Sequence, residues 1–172
     1  DDVIQFVAAP GGSTRTAQNA GEQTGYGAEF ALSWDATEDL TLAGNLALQK
    51  SQDQLTGKDA GNAPERDTYV RADWSFLPGW SLDVQASWIA QRNRVFGDPR
   101  GDVSDYVVTD LALRNRGWSP RMEVALLVKN LFNDHAREPS LNGDPVPMIP
   151  DDLPLAGRAA FVEIRYTPDA LR

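Results

Sequence analysis

The chain has no cysteine and a single histidine, His135. Without thiolates, disulfide frameworks and cysteine-ligated metal centres are excluded, and one imidazole cannot build a multi-histidine site. A serine, histidine and acid triad would have to use that one loop residue, and no G-x-S-x-G elbow accompanies it. Positive charge is also scarce. Sixteen lysines and arginines stand against twenty-five acids, a formal net charge of −9, which argues against nucleic acid as a partner because such partners are held by phosphate neutralisation. Long apolar runs are missing too: no window approaches the ~18 apolar residues of a membrane helix, and mean hydropathy is −0.42. That average leaves membrane β-strands open, since each needs only about 9–11 residues with apolar side chains at alternate positions. The opening DDVIQFVAAPGG has neither the basic start nor the longer apolar core of a secretion signal. The expectation is a processed chain or a piece of a longer one.

What the chain does contain is alternation. In EVALLVKN, Val124, Leu126 and Val128 oppose Glu123, Ala125, Leu127 and Lys129; in RAAFVEIRY, Ala160, Val162, Ile164 and Tyr166 oppose Phe161, Glu163 and Arg165. The charged sets share one face, as period-two structure requires when its two sides meet different media. The same pattern predicts strands over 3–8, 24–34, 40–50, 69–76, 80–91 and 106–114. Trp74 and Phe76 precede the turn Leu77-Pro78-Gly79 and Trp80 follows it, which gathers rings at one level as membrane-interface girdles do. A soluble hairpin with an aromatic cluster in its core is the alternative.

The connections sort by length. Tight turns near 35–39, 77–79 and 115–120 alternate with polar excursions at 51–66, 92–105 and 131–156, the last proline-rich and expected to be irregular. Short turns at one end and long loops at the other belong to an up-and-down barrel in an outer membrane, whereas a sandwich has no reason to sort its loops this way. The fold class expected is all-β: about eight antiparallel strands of a transmembrane barrel.

Three segments resemble TonB-dependent outer-membrane receptors. NAGEQTGYGAEFAL (19–32) is similar to an N-x-G then G-x-E pattern that opens a barrel strand. VKNLFND (128–134), with Asn130, Leu131 and Phe132, resembles the family's segment at the end of the penultimate strand, and LAGRAAFVEIRY (155–166), entered through Gly157 and Arg158, resembles its last strand. The resemblance implies that residues 1–172 are the C-terminal portion of a barrel of about 22 strands whose lumen is plugged by an N-terminal domain. It further implies bacterial outer-membrane localisation, lipid and lipopolysaccharide around the wall, contact with the plug of the same full-length chain and with TonB through a missing N-terminal region, and uptake of a small-molecule ligand such as a ferric siderophore or other metal chelate. The family usually finishes on an aromatic residue, whereas here Tyr166 is followed by TPDALR.

Glu29, Arg71, Asp73, Asp83, Gln85, Asp110, Arg114, Glu123, Lys129, Glu163 and Arg165 are the lumen-facing candidates. Their mixed signs favour mutual pairing, worth ~0–1 kcal/mol each in a hydrated interior, and together they would keep the wall polar and grip a plug. Asp73 and Asp83 could mimic a glycosidase dyad, yet such groups suit a hydrated lumen equally. The expectation is no enzyme, no cofactor and no metal. Asp98, Asp102 and Asp105 in one loop, and Asp144, Asp151 and Asp152 in another, lack calcium-loop spacing and read as solvated charge. Arg92, Arg94 and Arg100 offer contacts to lipopolysaccharide phosphates or an anionic ligand. Two alternatives stand beside the receptor: a complete eight-stranded barrel acting as adhesin or anchor, and a soluble carbohydrate-binding β-sandwich. Pairing between the first and last strands would favour the closed barrel.

Overall fold

A computed structural model describes residues 2–8, 15–119, 121–140, 149 and 151–168. Ten strands follow in order: β1 Asp2–Ala8, β2 Arg15–Thr37, β3 Leu40–Asp53, β4 Pro64–Leu77, β5 Trp80–Arg92, β6 Tyr106–Ser119, β7 Met122–Lys129, β8 Arg137–Glu138, β9 Leu153–Pro154 and β10 Ala159–Tyr166. Eight of them form one sheet in the order β1-β2-β3-β4-β5-β6-β7-β10, with β8 and β9 as a small separate pair. Every ladder is antiparallel between chain neighbours. Hairpin connections force this meander, because parallel strands would need crossovers of a dozen residues or more.

The register aligns the two faces from strand to strand. One rung joins Trp34, Leu42, Ala72, Val84 and Leu111, and the flanking rungs of the other face join Asp73 to Asp83 on one side and Gln85 to Asp110 on the other. A one-residue slip in any ladder would turn a whole strand over, so the apolar set holds the register. Among the described residues, nothing packs on that apolar face. Leu32 is 71% exposed, Val162 70% and Phe30 63%, and the buried apolar residues are few and small, among them Ala90, Ala112 and Ala125. A sheet with one bare apolar face, one polar face and no second layer does not match the soluble sandwich. The closed eight-stranded barrel also fails its test: among the described residues β1 and β10 stand at opposite edges of the sheet, with no ladder between them.

Aromatic residues mark both limits of the apolar face. Tyr26 and Trp34 in β2, and Trp80 and Trp88 in β5, are each eight residues apart on the same face. At ~3.3 Å per residue that is about 26 Å along a strand, or about 20 Å of height at a ~40° tilt, which fits within the ~25 Å apolar band of outer-membrane barrels. At the short-turn end, Trp74 and Phe76 lie 5.5 Å apart between ring centres and Phe76 and Trp80 6.4 Å. Gly79, at φ +76°, closes that turn, and a Cβ there would come within 2.8 Å of Gly117 near the end of β6.

Two boundaries differ from expectation. Strand β2 starts at Arg15 rather than at 24, and its first part pairs with β1, while Gln23–Thr37 pairs with β3. Residues 15–23 are polar on both faces, so this extension carries no alternation; backbone pairing alone makes it a strand. Strand β6 runs on to Ser119, through a register shift after Asn115, so residues 115–119 of the expected turn over 115–120 are strand.

Candidate functional site

The polar face brings the expected charged residues together in two bands that run across the strands. In the upper band, the Tyr69 hydroxyl donates to Gln85 Oε1 at 2.8 Å and Gln85 Nε2 donates to Asp110 Oδ2 at 3.1 Å. Asp110 also accepts from Lys129 Nζ at 2.7 Å and from the Asn130 amide at 2.9 Å. In the lower band, Arg71 bridges Asp73 at 2.7 Å and Asp83 at 2.5 Å. Arg114 meets Glu123 at 3.0 Å and Glu163 at 4.0 Å, Arg116 joins Glu123 at 2.5 Å, and Arg165 pairs with Glu163 at 3.1 Å. Asp73 and Asp83 are therefore not a free carboxylate dyad: they face each other in register with one guanidinium between them. Glu29 differs from the rest, being exposed and without an ion-pair partner among the described residues.

Above this wall the three excursions pack on one another. The Asn62 amide donates to Asn93 O at 2.7 Å, and Gly61, at φ +79°, lies so close to Val95 that a Cβ would fall 2.3 Å from its amide nitrogen. Gln91 takes a left-handed conformation, φ 57°, which breaks the alternation of β5 in the way a bulge re-aims a side chain. Arg92, which would otherwise follow Trp88 and Ala90 onto the apolar face, lies over the Tyr106 ring at 4.9 Å, is 1% exposed, and reaches Glu138 at 3.0 Å, Ser104 O at 3.0 Å and Arg137 O at 2.9 Å. Tyr106 donates to the same Glu138 at 2.7 Å.

Arg94 forks onto Asp152 at 2.9 and 2.5 Å, with both side chains under a tenth exposed. Arg100 binds Asp98 at 2.6 Å, Asp152 at 3.3 Å, and the hydroxyl and carbonyl of Ser140 at 2.7 and 3.0 Å. The Arg100 guanidinium holds the Asp98 carboxyl at about 2, and the Arg94 guanidinium holds that of Asp152 well below the usual carboxylate range. Hydrogen bonding to Asp152 in turn raises Arg94. The expectation of arginines offered to phosphates, and of Asp98 and Asp152 as solvated charge, is corrected by this cluster: these groups are spent on one another. Asp102, Asp105 and Asp151 are exposed, His135 lies exposed in its loop, and Asp144 falls outside the described residues. No group of metal-ligating side chains occurs among the described residues.

The asparagine, leucine and phenylalanine segment acts mainly through asparagine side chains that bind neighbouring backbone. Asn130, at φ 48° and 2% exposed, ends β7: its Nδ2 donates to Asp134 O at 2.9 Å and Ala156 O at 3.1 Å, and its Oδ1 accepts from the Asp134 amide at 2.8 Å. The Leu131 amide donates to Thr109 O at 2.7 Å, while Phe132 points outward, 75% exposed. Asn133 Oδ1 accepts from the Arg158 amide at 3.0 Å and lies 3.3 Å from where a Cβ on Gly157 would stand. The segment thus staples the end of β7 to the start of β10 across the long loop. The proline-rich loop expected to be irregular holds the β8–β9 pair, whose bonds Arg137 reinforces by donating to Asp151 O.

The chain that builds this meander, with one apolar face, one charged face and loops gathered at one end, matches the family profile of the TonB dependent receptor-like β-barrel over residues 1–131. The chain belongs to this family. Comparison with curated protein sequences finds no match. Among solved structures, a mutant of the ferric enterobactin receptor PfeA from Pseudomonas aeruginosa is similar with a TM-score of 0.73 at 19% identity, over 96% of this chain and 27% of that one. The ferric yersiniabactin uptake receptor FyuA from Yersinia pestis gives 0.75 at 16%, over 88% and 24%. The copper transporter OprC gives 0.67 at 16%, over 96% and 26%. Likeness at such identity establishes the fold alone. The chain spans about a quarter of the length of these structures. The family and these similar structures are receptors and transporters.

Proposed function

We propose that the chain supplies about a third of the wall, with its outer loops, of a bacterial outer-membrane transporter of about 22 strands that takes up a scarce metal chelate, a ferric siderophore first among them. The observation that carries this reading is the single open-edged sheet with one bare apolar face, in a chain of this family. The apolar face would meet lipid and the polar face would line the lumen. Paired side chains there keep the wall wet without a strong net field, so a charged chelate and a plug domain can slide past it. Glu29 and Asp67, which share a rung and have no ion-pair partner among the described residues, are available to engage whatever fills the lumen. The joined loops form a preshaped vestibule, and transport would draw on TonB through a part of the protein outside this stretch.

The test is uptake in the host. Deleting the gene is expected to bring accumulation of one radiolabelled ferric chelate to background, and collapsing the inner-membrane proton gradient should do the same in the wild type. Unchanged accumulation of every ferric and copper chelate tried, in metal-starved cells, would reject the reading.

A further inference from the structure

The apolar face is not evenly filled. Around Gly44 it is hollowed into a trench of about 850 Å³, lined chiefly by Phe30, Leu32, Trp34, Leu46, Val70 and Ala72. Side-chain size makes the hollow: the rung Leu32, Gly44, Val70, Ala86 contains a glycine and an alanine between larger neighbours, and the rung below it places Ala72 between Leu42 and Val84. On the loop side lies a second cavity of about 440 Å³, lined by Tyr26, Ala28, Leu48, Lys50, Glu65 and Arg66 among others. The two adjoin on the same three strands. Phe30, Leu46 and Thr68 form the last rung of the trench, and Ala28, Leu48 and Arg66 form the first rung of the upper cavity.

The upper cavity is cationic at its mouth. Arg66 sits 5.7 Å from the centre of the Trp88 ring, which steadies the guanidinium while leaving its in-plane donors open. Lys50 is 60% exposed, and its ammonium stands 3.7 Å from Glu65, too far for a hydrogen bond. Glu65 also takes a long bond of 3.4 Å from Asn93. Two cations against one carboxylate leave one net positive charge beside an apolar channel. From Ala28 to Trp34 is six residues, about 20 Å along the strand, room for one extended acyl chain.

We propose that this composite hollow binds one phosphorylated lipid, its phosphate between Lys50 and Arg66 and one acyl chain along the trench past Gly44. The proposal rests on the reading of the apolar face as membrane-embedded. The chain's net charge of −9 makes it informative, because the overall field repels anionic lipid and any preference must be local.

The experiment uses the full protein extracted from its membrane, stripped of lipid and titrated with phosphatidylglycerol, phosphatidylcholine or inorganic phosphate, with adducts counted by native mass spectrometry. Phosphatidylglycerol should be retained about fivefold over phosphatidylcholine, the factor one net surface cation supplies. The pair Lys50→Gln and Arg66→Gln should erase that preference, and Ala72→Leu should weaken both lipids while unheated gel mobility stays that of the folded barrel. Equal retention of the two lipids by the wild type, a preference that survives the double substitution, or phosphate binding as well without a tail each overturns the site. Failure to retain any lipid overturns the membrane-embedded reading itself.

Discussion

Arg71 and Arg94 each grip aspartate at 2.5 Å, yet they stand in opposite surroundings. Arg71 lies on the open wall, 45% exposed, between two carboxylates from neighbouring strands. Arg94 lies among the loops, 8% exposed, and its partner Asp152 is 58 residues away. Exposed pairs are screened and worth ~0–1 kcal/mol, whereas breaking a buried one strands a charge at a cost of about 3 kcal/mol or more. The comparison inverts a common expectation. In this protein the strands carry interchangeable charge, while the loops carry the specific, interlocked kind.

Acid separates the two regions most strongly. The folded-state values of Asp98, about 2, and Asp152, lower still, lie below the ~3.9 of an unfolded aspartate. Depressed carboxylates contribute stability that is complete above about pH 4 and lost as pH falls through their folded values. Pepsin cleavage within residues 93–105 and 131–140, normalised to an unfolded substrate, should therefore stay low at pH 4 and rise steeply towards pH 2. Cleavage already rapid at pH 4 would show that the cluster does not hold the loops.

Asp152→Ala is the single change expected to cost most, about 3 kcal/mol of local stability, because Arg94 and Arg100 both lose their shared partner inside the loops. Hydrogen exchange should accelerate in 93–105 as well as around position 152, since the two loops are coupled. Asn130→Ala should cost about 2 kcal/mol by removing the three hydrogen bonds that its buried side chain makes to the backbone of Asp134 and Ala156. Its signature is faster exchange at the start of β10, with 93–105 unchanged. Arg71→Ala should shift the thermal midpoint least, by under about 1 kcal/mol in equivalent stability. A loss as large as that of Asp152→Ala would erase the distinction between wall and loops.

The strands were legible because alternation is local: Val124, Leu126 and Val128 declare their face without knowledge of any partner. The wall charges Arg71, Asp73, Asp83, Arg114 and Glu123 follow from the same parity. Residues 15–23 were illegible because both of their faces are polar, so only the ladder to β1 makes them strand. Arg92 was misplaced for a different reason. It reads as a loop cation offered to phosphates, and only the folded chain, past a left-handed Gln91, a residue type with no special liking for positive φ, lays it over Tyr106 and onto Glu138.

By itself, then, the amino-acid sequence determined the two-faced strands, their antiparallel order and the sorting of short turns from long loops. Period-two patterning and turn chemistry act over a few residues and need no tertiary partner. Only the tertiary structure decided which charges meet. Arg94 finds Asp152, Arg92 finds Glu138, and Asn130 finds Ala156 across 58, 46 and 26 residues. Such pairings depend on the path of three loops over a common sheet, and no local spacing encodes that path.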